Sequence, residues 1–296
     1  MLSVESVGIA NVARFIRYAT DHGSEHDDSY LPAPGFTPST ESPSYILLQD
    51  GAVVGAASLM RTPRYVEARR SRFSIFHSTK PSLQTYSLLF NAIQRHFDGL
   101  RIVYLFLPES QRASAEAVRQ LGFAVERYSF VMVLKEPKPA GLVVPEGFSL
   151  RSIRPQDGSS FRLFADAINA NFDGMAGHLP MPPDGLRDWF SEEAYLEDGI
   201  ALLMQRDRPV GTVCVMREFE DRNAGDISAL SVGKENRRQG LGRLLLRHAV
   251  CFAVWHGLRP VYLSLNAEND SALQLYRSEG FVVMDTVVCY SRTCEP

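Results

Sequence analysis

The stretch LSVGKENRRQGLGRLLLR, residues 230–247, decides how the rest of the chain is interpreted. Its order of an apolar run, a charged turn and a leucine-rich segment predicts a strand, a loop and the start of a helix. Gly240 and Gly242 lack Cβ atoms, so backbone N–H groups near them can approach an anion closely. The helix would direct the positive end of its dipole to the same place. A basic turn that only closes a strand–helix junction is the alternative, since short glycine motifs have many false matches.

The composition is that of a globular protein. The chain has 296 residues, of which 45% are hydrophobic and 22% charged, so one large or two medium domains are expected. The net charge of -3 gives no reason to expect a nucleic-acid partner. No apolar run approaches the roughly 20 residues that span a bilayer, so a membrane partner is not expected either.

The four cysteines indicate reduced thiols. Cys214, Cys251, Cys289 and Cys294 have no C-x-x-C spacing, so neither a zinc site nor a redox pair is predicted. The N-terminal residues lack the basic and apolar regions of a signal peptide. We therefore expect no metal and a cytoplasmic location.

The chain contains two halves with the same order of elements. Each half predicts a helix, a long loop, a hairpin, a strand, a helix, a strand, a helix and closing strands. The segment KEPKPAGLVVPEG at 135–147 is rich in proline and charge, which is typical of a linker. The predicted division is a first domain at 1–137, a linker at 138–147 and a second domain at 148–296.

The repeat is also visible in the letters of the sequence. GLRIVYLFL begins at residue 99 and GLRPVYLSL at residue 257, and seven of their nine letters agree. The same offset of 158 (257 − 99) aligns the Gly-Phe pair at 122–123 with the pair at 280–281. Two long repeats indicate duplication of a domain and not a solenoid, which is built of short repeats.

The second half resembles the GCN5-related N-acetyltransferase (GNAT) family. The resemblance rests on LSV at 230–232, the R-x-x-G-x-G pattern at 237–242, and NAENDSALQLYRSEGF at 266–281. It implies an α/β fold of two tandem GNAT-like domains, each a mixed, mostly antiparallel sheet flanked by helices. It also implies an acetyltransferase that moves an acetyl group from acetyl-CoA to a small-molecule or peptide amine. The alternative is a protein that binds or senses acyl-CoA without catalysis.

The resemblance also implies a set of coenzyme contacts. The backbone of 238–242 would bind the pyrophosphate, and the strand edge at 230–232 would pair with the pantetheine arm. A backbone N–H near Leu230 would polarise the thioester carbonyl. The implied coenzyme-binding residues are Leu230, Ser231, Val232, Arg237, Arg238, Gln239, Gly240, Leu241, Gly242, Arg243 and Asn269.

Two residues in the last motif could have either a functional or a purely structural role. Tyr276 is the candidate general acid, because a phenol can protonate the departing thiolate. It could instead pack on Leu273, three residues earlier in the same helix. Asn269 either contacts the coenzyme or simply caps that helix.

A carboxylate is the candidate general base, because an amine with a pKa of about 10 must lose a proton before it attacks. Asp226 lies just before the strand, where it could accept this proton directly or through water. Glu218, Glu220 and Asp221 are rivals on the preceding turn, and each is also a typical surface charge. His178, in the loop MAGHLPMPP, either lines an acceptor pocket or is exposed.

The first half lacks the residues that would perform the chemistry. At the offset of 158, Arg237, Gly240, Gly242 and Tyr276 align with Thr79, Ser82, Gln84 and Val118. The first loop is four residues shorter, since the preceding strands align at an offset of 154 (228 − 74). The first half is therefore predicted to keep the fold without the chemistry, and to support the second half or form one wall of the acceptor site. Its loop at 21–40 could face a cationic acceptor, or be a solvated loop.

Overall fold

The structure is a computed structural model that describes residues 1–27, 29–32, 35–218 and 221–294. It consists of two compact units, one formed by Met1–Ser129 with Asp285–Pro296 and the other by Phe130–Met284. The predicted linker at 138–147 contains neither helix nor strand and lies in the second unit. The compact units therefore differ from the two sequence repeats, because the last residues of the chain belong to the first unit. The division at 138–147 stays a prediction about the repeats.

The described residues form twelve strands and eight α-helices, with strand hairpins between several of the helices. The strands are β1 (Leu2–Ser6), β2 (Ser44–Gln49), β3 (Ala52–Met60), β4 (Arg70–Ser78), β5 (Ile102–Pro108), β6 (Ala124–Leu134), β7 (Phe148–Ser152), β8 (Ile200–Gln205), β9 (Arg208–Arg217), β10 (Gly225–Val232), β11 (Val261–Asn266) and β12 (Val282–Thr293). The helices are α1 (Val12–Asp21), α2 (Pro63–Glu67), α3 (Leu83–Ile93), α4 (Arg112–Gln120), α5 (Gly158–Asn171), α6 (Leu186–Ser191), α7 (Leu241–Trp255) and α8 (Asp270–Ser278).

The two units have the same strand topology. In the first unit β1, β2, β3 and β4 pair antiparallel in succession, and β4 pairs parallel with β5. In the second unit β7, β8, β9 and β10 do the same, and β10 pairs parallel with β11. The predicted fold class is confirmed: each unit is a mixed, mostly antiparallel sheet flanked by helices.

Each unit has its own hydrophobic core. In the second unit α7 packs its buried face, which includes Leu241, Leu245 and Ala249, against side chains of β9 and β10 such as Val213 and Ile227. This burial fixes the start of α7 relative to the end of β10. No helix in the described part of the chain is long and apolar enough to cross a membrane.

The structure differs from the sequence-based prediction mainly in short or terminal elements. β1 and the short helices α2 and α6 were not predicted, because five or six residues carry too little periodicity. The closing segments of both halves form the single strands β6 and β12. Residues 285–293 of β12 lie in the first unit, where Val287 to Thr293 pair antiparallel with β5.

Candidate active site

A β-bulge interrupts β10 in the second unit. Ser228 is opposite Cys214 on β9 and Ser231 is opposite Thr212, so Ala229 and Leu230 together face the single residue between them. Ala229 has a φ of 51°, in the left-handed region that a residue with a Cβ adopts at a cost. Such bulges bend a strand and redirect its backbone groups, often beside functional sites.

The two parallel strands at the centre of the second unit diverge at this bulge. The pairing of β10 with β11 runs from Gly225 to Ile227 and does not extend to the following residues of β10. Backbone groups of 228–232 on that side therefore face a gap and not a neighbouring strand. An extended ligand could pair with such an edge as an added strand does. The predicted contacts Leu230, Ser231 and Val232 lie on this edge.

The start of α7 is suited to binding an anion. Its N-cap is Gly240, with a φ of 80° and no side chain to cap the helix. Because the first four N–H groups of a helix have no partner within the helix, those at the start of α7 are directed at the loop. Arg238, with a φ of 62°, Gln239 and Gly240 are exposed there. Leu241 is buried and Gly242 is half-buried, so these two offer backbone groups only.

The arginines of the loop have different roles. The guanidinium of Arg237 donates to the carbonyl of Val232 (Nε to O, 3.1 Å) and to that of Asn171 (Nη2 to O, 3.3 Å). It therefore holds the loop to the end of β10 and to α5. Arg243 donates to Ser278 Oγ at 3.1 Å and forms an ion pair with Glu279, the residue that follows α8. Arg238 is the third arginine of this segment. Among the contacts of the described residues, its side chain has no hydrogen bond or ion pair, so its charge is available to a ligand.

The corresponding helix of the first unit is capped by its own side chains. Ser82, the N-cap of α3, accepts a hydrogen bond from the Thr85 backbone N–H at 3.2 Å, and Thr85 Oγ1 accepts one from the Ser82 N–H at 3.2 Å. This capping box satisfies N–H groups that α7 leaves available. The N–H groups at the start of α3 are thus capped by side chains and those at the start of α7 are not, which is the difference that the sequence predicted.

The candidate base also has no counterpart in the first unit. Asp226 pairs with Met216 on β9, and the equivalent position, which pairs with Met60 on β3, is Arg72. Arg72 is largely buried, with 13% of its side chain exposed, and forms an ion pair with Asp27. A guanidinium held in this way cannot accept a proton near neutral pH.

Burial and the neighbouring Glu218 raise the pKa of Asp226 from its usual 3.8 to about 7. A carboxylate with such a pKa is half-ionised near neutral pH, which suits a general base. Asp221 is exposed and its Oδ1 accepts the Asn223 backbone N–H at 2.9 Å, so it shapes the turn before β10. Glu220, the remaining rival, lies outside the described residues.

Tyr276 lies on α8 and is 6% exposed, within the core of the second unit. Its ring is 6.1 Å from that of Phe281, and burial raises its pKa to about 12. The phenol is therefore protonated at neutral pH and can donate a proton. Leu273 packs against the same core, and both the catalytic role and the packing role of Tyr276 stay predictions.

Two further candidates have structural roles in the second unit. Asn269 is the N-cap of α8, where its Oδ1 accepts the Ala272 backbone N–H at 3.2 Å. His178 lies in the loop after α5 and its ring stacks on Phe172 at 5.6 Å. The stacking fixes the ring on the loop, and the coenzyme contact of Asn269 stays a prediction.

The sequence named Ser231 as a coenzyme contact, but sequence reasoning missed that its side chain belongs to a buried polar cluster beneath the bulge. Thr212 on β9, Ser231 on β10 and Asn171 at the end of α5 are linked by hydrogen bonds. They are 0%, 7% and 8% exposed. No local pattern marks them, because up to 60 residues separate the partners in the sequence.

Comparisons with known proteins identify the family and the fold that this chain resembles. Residues 164–281 match the family model described as Acetyltransferase (GNAT) family. The second half of the chain contains a GNAT domain. Its matched segment runs from α5 to the start of the last strand and includes the bulge, the loop and α7.

Matches to curated relatives cover most of the chain. A mycothiol acetyltransferase of Saccharomonospora viridis is 25% identical over 280 residues, which cover 88% of this chain and 87% of the relative. A protein of the same name from Paenarthrobacter aurescens is 27% identical over 61% of this chain and 57% of the relative.

Solved structures share the fold of the entire chain. A GCN5-related N-acetyltransferase from Sphaerobacter thermophilus has a TM-score of 0.76 at 19% identity and covers 100% of this chain and 96% of its own. A tandem GNAT protein from the clavulanic acid biosynthesis pathway has a TM-score of 0.73 at 15% identity, covering 100% and 99%. These matches support the tandem GNAT architecture, and the family supports acetyl transfer as the general activity.

Proposed function

We propose that the chain is an N-acetyltransferase that moves the acetyl group of acetyl-CoA to an amine by direct attack in a ternary complex. The observation that carries the proposal is the combination of the open strand edge at 228–232 with the uncapped start of α7 at Gly240. An edge suits the extended pantetheine arm, and a helix start suits the pyrophosphate. The relatives named as mycothiol acetyltransferases support a small-molecule amine as the acceptor.

The residues present fit acetyl-CoA as a co-substrate. Backbone N–H groups of 238–242 would hold the pyrophosphate, with Arg238 adding charge. Backbone groups of Leu230 and Val232 would pair with the arm, and the Leu230 N–H would donate to the thioester oxygen. Acetyl-CoA supplies the acyl group as a thioester, which an amine can attack.

The proton transfers are assigned to two side chains. Asp226 accepts a proton from the amine as the C–N bond forms, directly or through water. Tyr276 donates its proton to the sulfur as the C–S bond breaks. Cys214, which lies on β9 opposite Ser228 of β10, is fully buried, and burial raises the pKa of its thiol. Since the thiolate is the nucleophilic form, this supports direct attack without an acyl-enzyme.

The first unit is proposed to be non-catalytic. Arg72, Val118 and the capping box at Ser82 replace the base, the acid and the anion site. The cytoplasm is the proposed location, since none of the four cysteines is paired with another in the described residues.

We expect acetyl-CoA to stabilise the protein through Gly240. At about 100 times its dissociation constant, a ligand adds roughly 2.7 kcal/mol to the free energy of unfolding. Gly240→Ala introduces a Cβ at a φ of 80° with no atom within 4 Å, so the expected loss of intrinsic stability is about 1 kcal/mol. The open space beside Gly240 is where the proposed pyrophosphate would bind, so the added Cβ would crowd the ligand, and the acetyl-CoA-dependent shift in Tm should fall sharply.

The matched control is Gly257→Ala at the other end of the same helix. Gly257 has a φ of 72°, and a Cβ added there would also have no atom within 4 Å, so the backbone cost is the same. This variant should keep the full acetyl-CoA shift. Equal shifts in both variants, or none in the native protein, would contradict coenzyme binding at the start of α7.

Isothermal titration calorimetry with acetyl-CoA is expected to give one binding site per chain. The α3 start in the first unit has its N–H groups capped by Ser82 and Thr85, so a second molecule has no equivalent anion site. Two sites per chain would show that the capping argument is wrong. Binding without release of thiol across a broad amine panel would favour the alternative, a non-catalytic acyl-CoA-binding protein.

A further inference from the structure

We propose that Thr212, Ser231 and Asn171 are positioning residues that orient and polarise the peptide group between Ala229 and Leu230. The inference rests on the proposed function, in which the N–H of this peptide group donates to the thioester oxygen. The three side chains form a hydrogen-bonded relay that ends on its carbonyl oxygen.

The direction of every hydrogen bond in the relay is fixed by chemistry. Thr212 Oγ1 lies 2.6 Å from the Ala229 carbonyl oxygen, which can only accept, so Thr212 donates its proton there. Ser231 Oγ lies 2.7 Å from Thr212 Oγ1 and therefore donates to it. Asn171 Nδ2 donates to Ser231 Oγ at 2.9 Å. The chain of donors thus runs from Asn171 to the bulge.

The relay ends on the same peptide group that carries the proposed oxyanion donor, the Leu230 N–H. The Ala229 carbonyl and the Leu230 N–H belong to one planar trans peptide group, so they point in opposite directions. When Thr212 holds the carbonyl on the β9 side, the Leu230 N–H points away from β9. Hydrogen bonds in a chain polarise one another, so a donor on the carbonyl makes this N–H a stronger donor.

Burial makes the relay able to hold a strained backbone. Ala229 has a φ of 51°, a conformation that persists only when surrounding contacts enforce it. All three relay side chains are buried, where each lost hydrogen bond leaves a polar atom unsatisfied. The relay therefore favours the bulged conformation over a regular strand.

The first unit provides an internal comparison. Its position equivalent to Thr212 is Ala56, which pairs with His77 on β4 where Thr212 pairs with Ser231. Its bulge lies at a different place, between the pairs of Ile75 and Phe73, and β4, which is described throughout, contains no residue with positive φ. The unit without the relay also lacks the strained peptide group.

Asn171 also connects the relay to the coenzyme loop. Its backbone carbonyl accepts from Arg237, while its side chain donates to Ser231. The end of α5 therefore fixes the bulge and the loop relative to each other.

The test uses the full-length chain with [1-¹³C]acetyl-CoA, and the readout is the ¹³C resonance of the bound thioester carbonyl. We expect binding to shift this signal downfield in the native protein, since a hydrogen bond withdraws electrons from the carbonyl carbon. Thr212→Val removes the donor at nearly constant volume and should abolish most of the shift. Thr212→Ser keeps the hydroxyl and should restore it.

Kinetics provide the second readout. With an amine that the native protein accepts, Thr212→Val should lower kcat about ten-fold, less than the 10²- to 10³-fold typical of removing an oxyanion donor outright. The KM for acetyl-CoA should stay within about three-fold, because the loop contacts persist. Thr212→Ser should return kcat to near the native value, which a general loss of packing would not predict.

The outcomes separate this inference from the proposed function. Bound acetyl-CoA with an unshifted carbonyl signal, or the same shift in Thr212→Val, overturns the relay and leaves acetyl transfer intact. No binding of acetyl-CoA to the native chain overturns both. If Thr212→Val does not fold, Thr212→Ala takes its place, since Ala56 occupies the equivalent position in the first unit.

Discussion

Asp226→Asn is expected to lower kcat by about 10²- to 10⁴-fold, the range for loss of a general base. In the native protein kcat/KM should rise with pH through about 7, as Asp226 loses its proton. The variant should lose this rise, because asparagine does not titrate. Steady-state rates of CoA release between pH 5.5 and 9 would measure both effects.

The same substitution should stabilise the protein at high pH. The pKa of Asp226 is about 7 in the folded state and near its usual 3.8 in the unfolded chain. Between these values the folded state binds more protons, so the free energy of unfolding falls as pH rises and stays reduced above 7. Asp226→Asn should therefore have a higher Tm than the native protein at pH 8 and a similar Tm at pH 4.

Asp166→Asn is the control for both experiments. Asp166 lies on the exposed side of α5, where its side chain is 66% exposed and forms a surface ion pair with Arg162. This variant should leave the pH profile and the pH dependence of Tm unchanged. A native-like rate for Asp226→Asn would assign the proton transfer to another group, such as Glu218 or water.

Tyr276→Phe is expected to lower kcat about 10²-fold while the Kd for acetyl-CoA stays nearly constant. The substitution removes the proton that the phenol donates to the departing sulfur and keeps the ring in the core. Single-turnover release of CoA would measure the chemical step, and calorimetry would measure the affinity.

Tyr86→Phe in the first unit is the matched control for the loss of a buried phenol. Tyr86 is 0% exposed, and burial raises its pKa to about 12, as it does for Tyr276. Both variants should change Tm by a similar amount, and only Tyr276→Phe should slow turnover. If Tyr276→Phe keeps native turnover, the role of Tyr276 is confined to packing in the core beside Phe281.

The duplicated plan of the fold could be predicted from the sequence because it depends on local patterns. Apolar runs, turn residues and the repeated GLR segments are each contained within a few residues, and they locate the hairpins and α7. The RRQGLG loop is also local, since its glycines and the helix after it are contiguous. The repeat offset of 158 aligns Gly240 with Ser82, so the sequence already predicts that the two helix starts differ. The structure shows that Ser82 belongs to a capping box.

The sequence by itself determined the two GNAT-like repeats and the positions of the loop, of Tyr276 and of Asp226. Only the tertiary structure decided how these residues behave. The pKa of Asp226 depends on burial, the Ala229 carbonyl in the bulge accepts a hydrogen bond from Thr212, and the side chain of Arg237 donates to the Asn171 carbonyl, 66 residues away. The assignment of residues 285–293 to the first unit likewise depends on pairing with β5. Each of these features arises from contacts between distant residues, which no local pattern encodes.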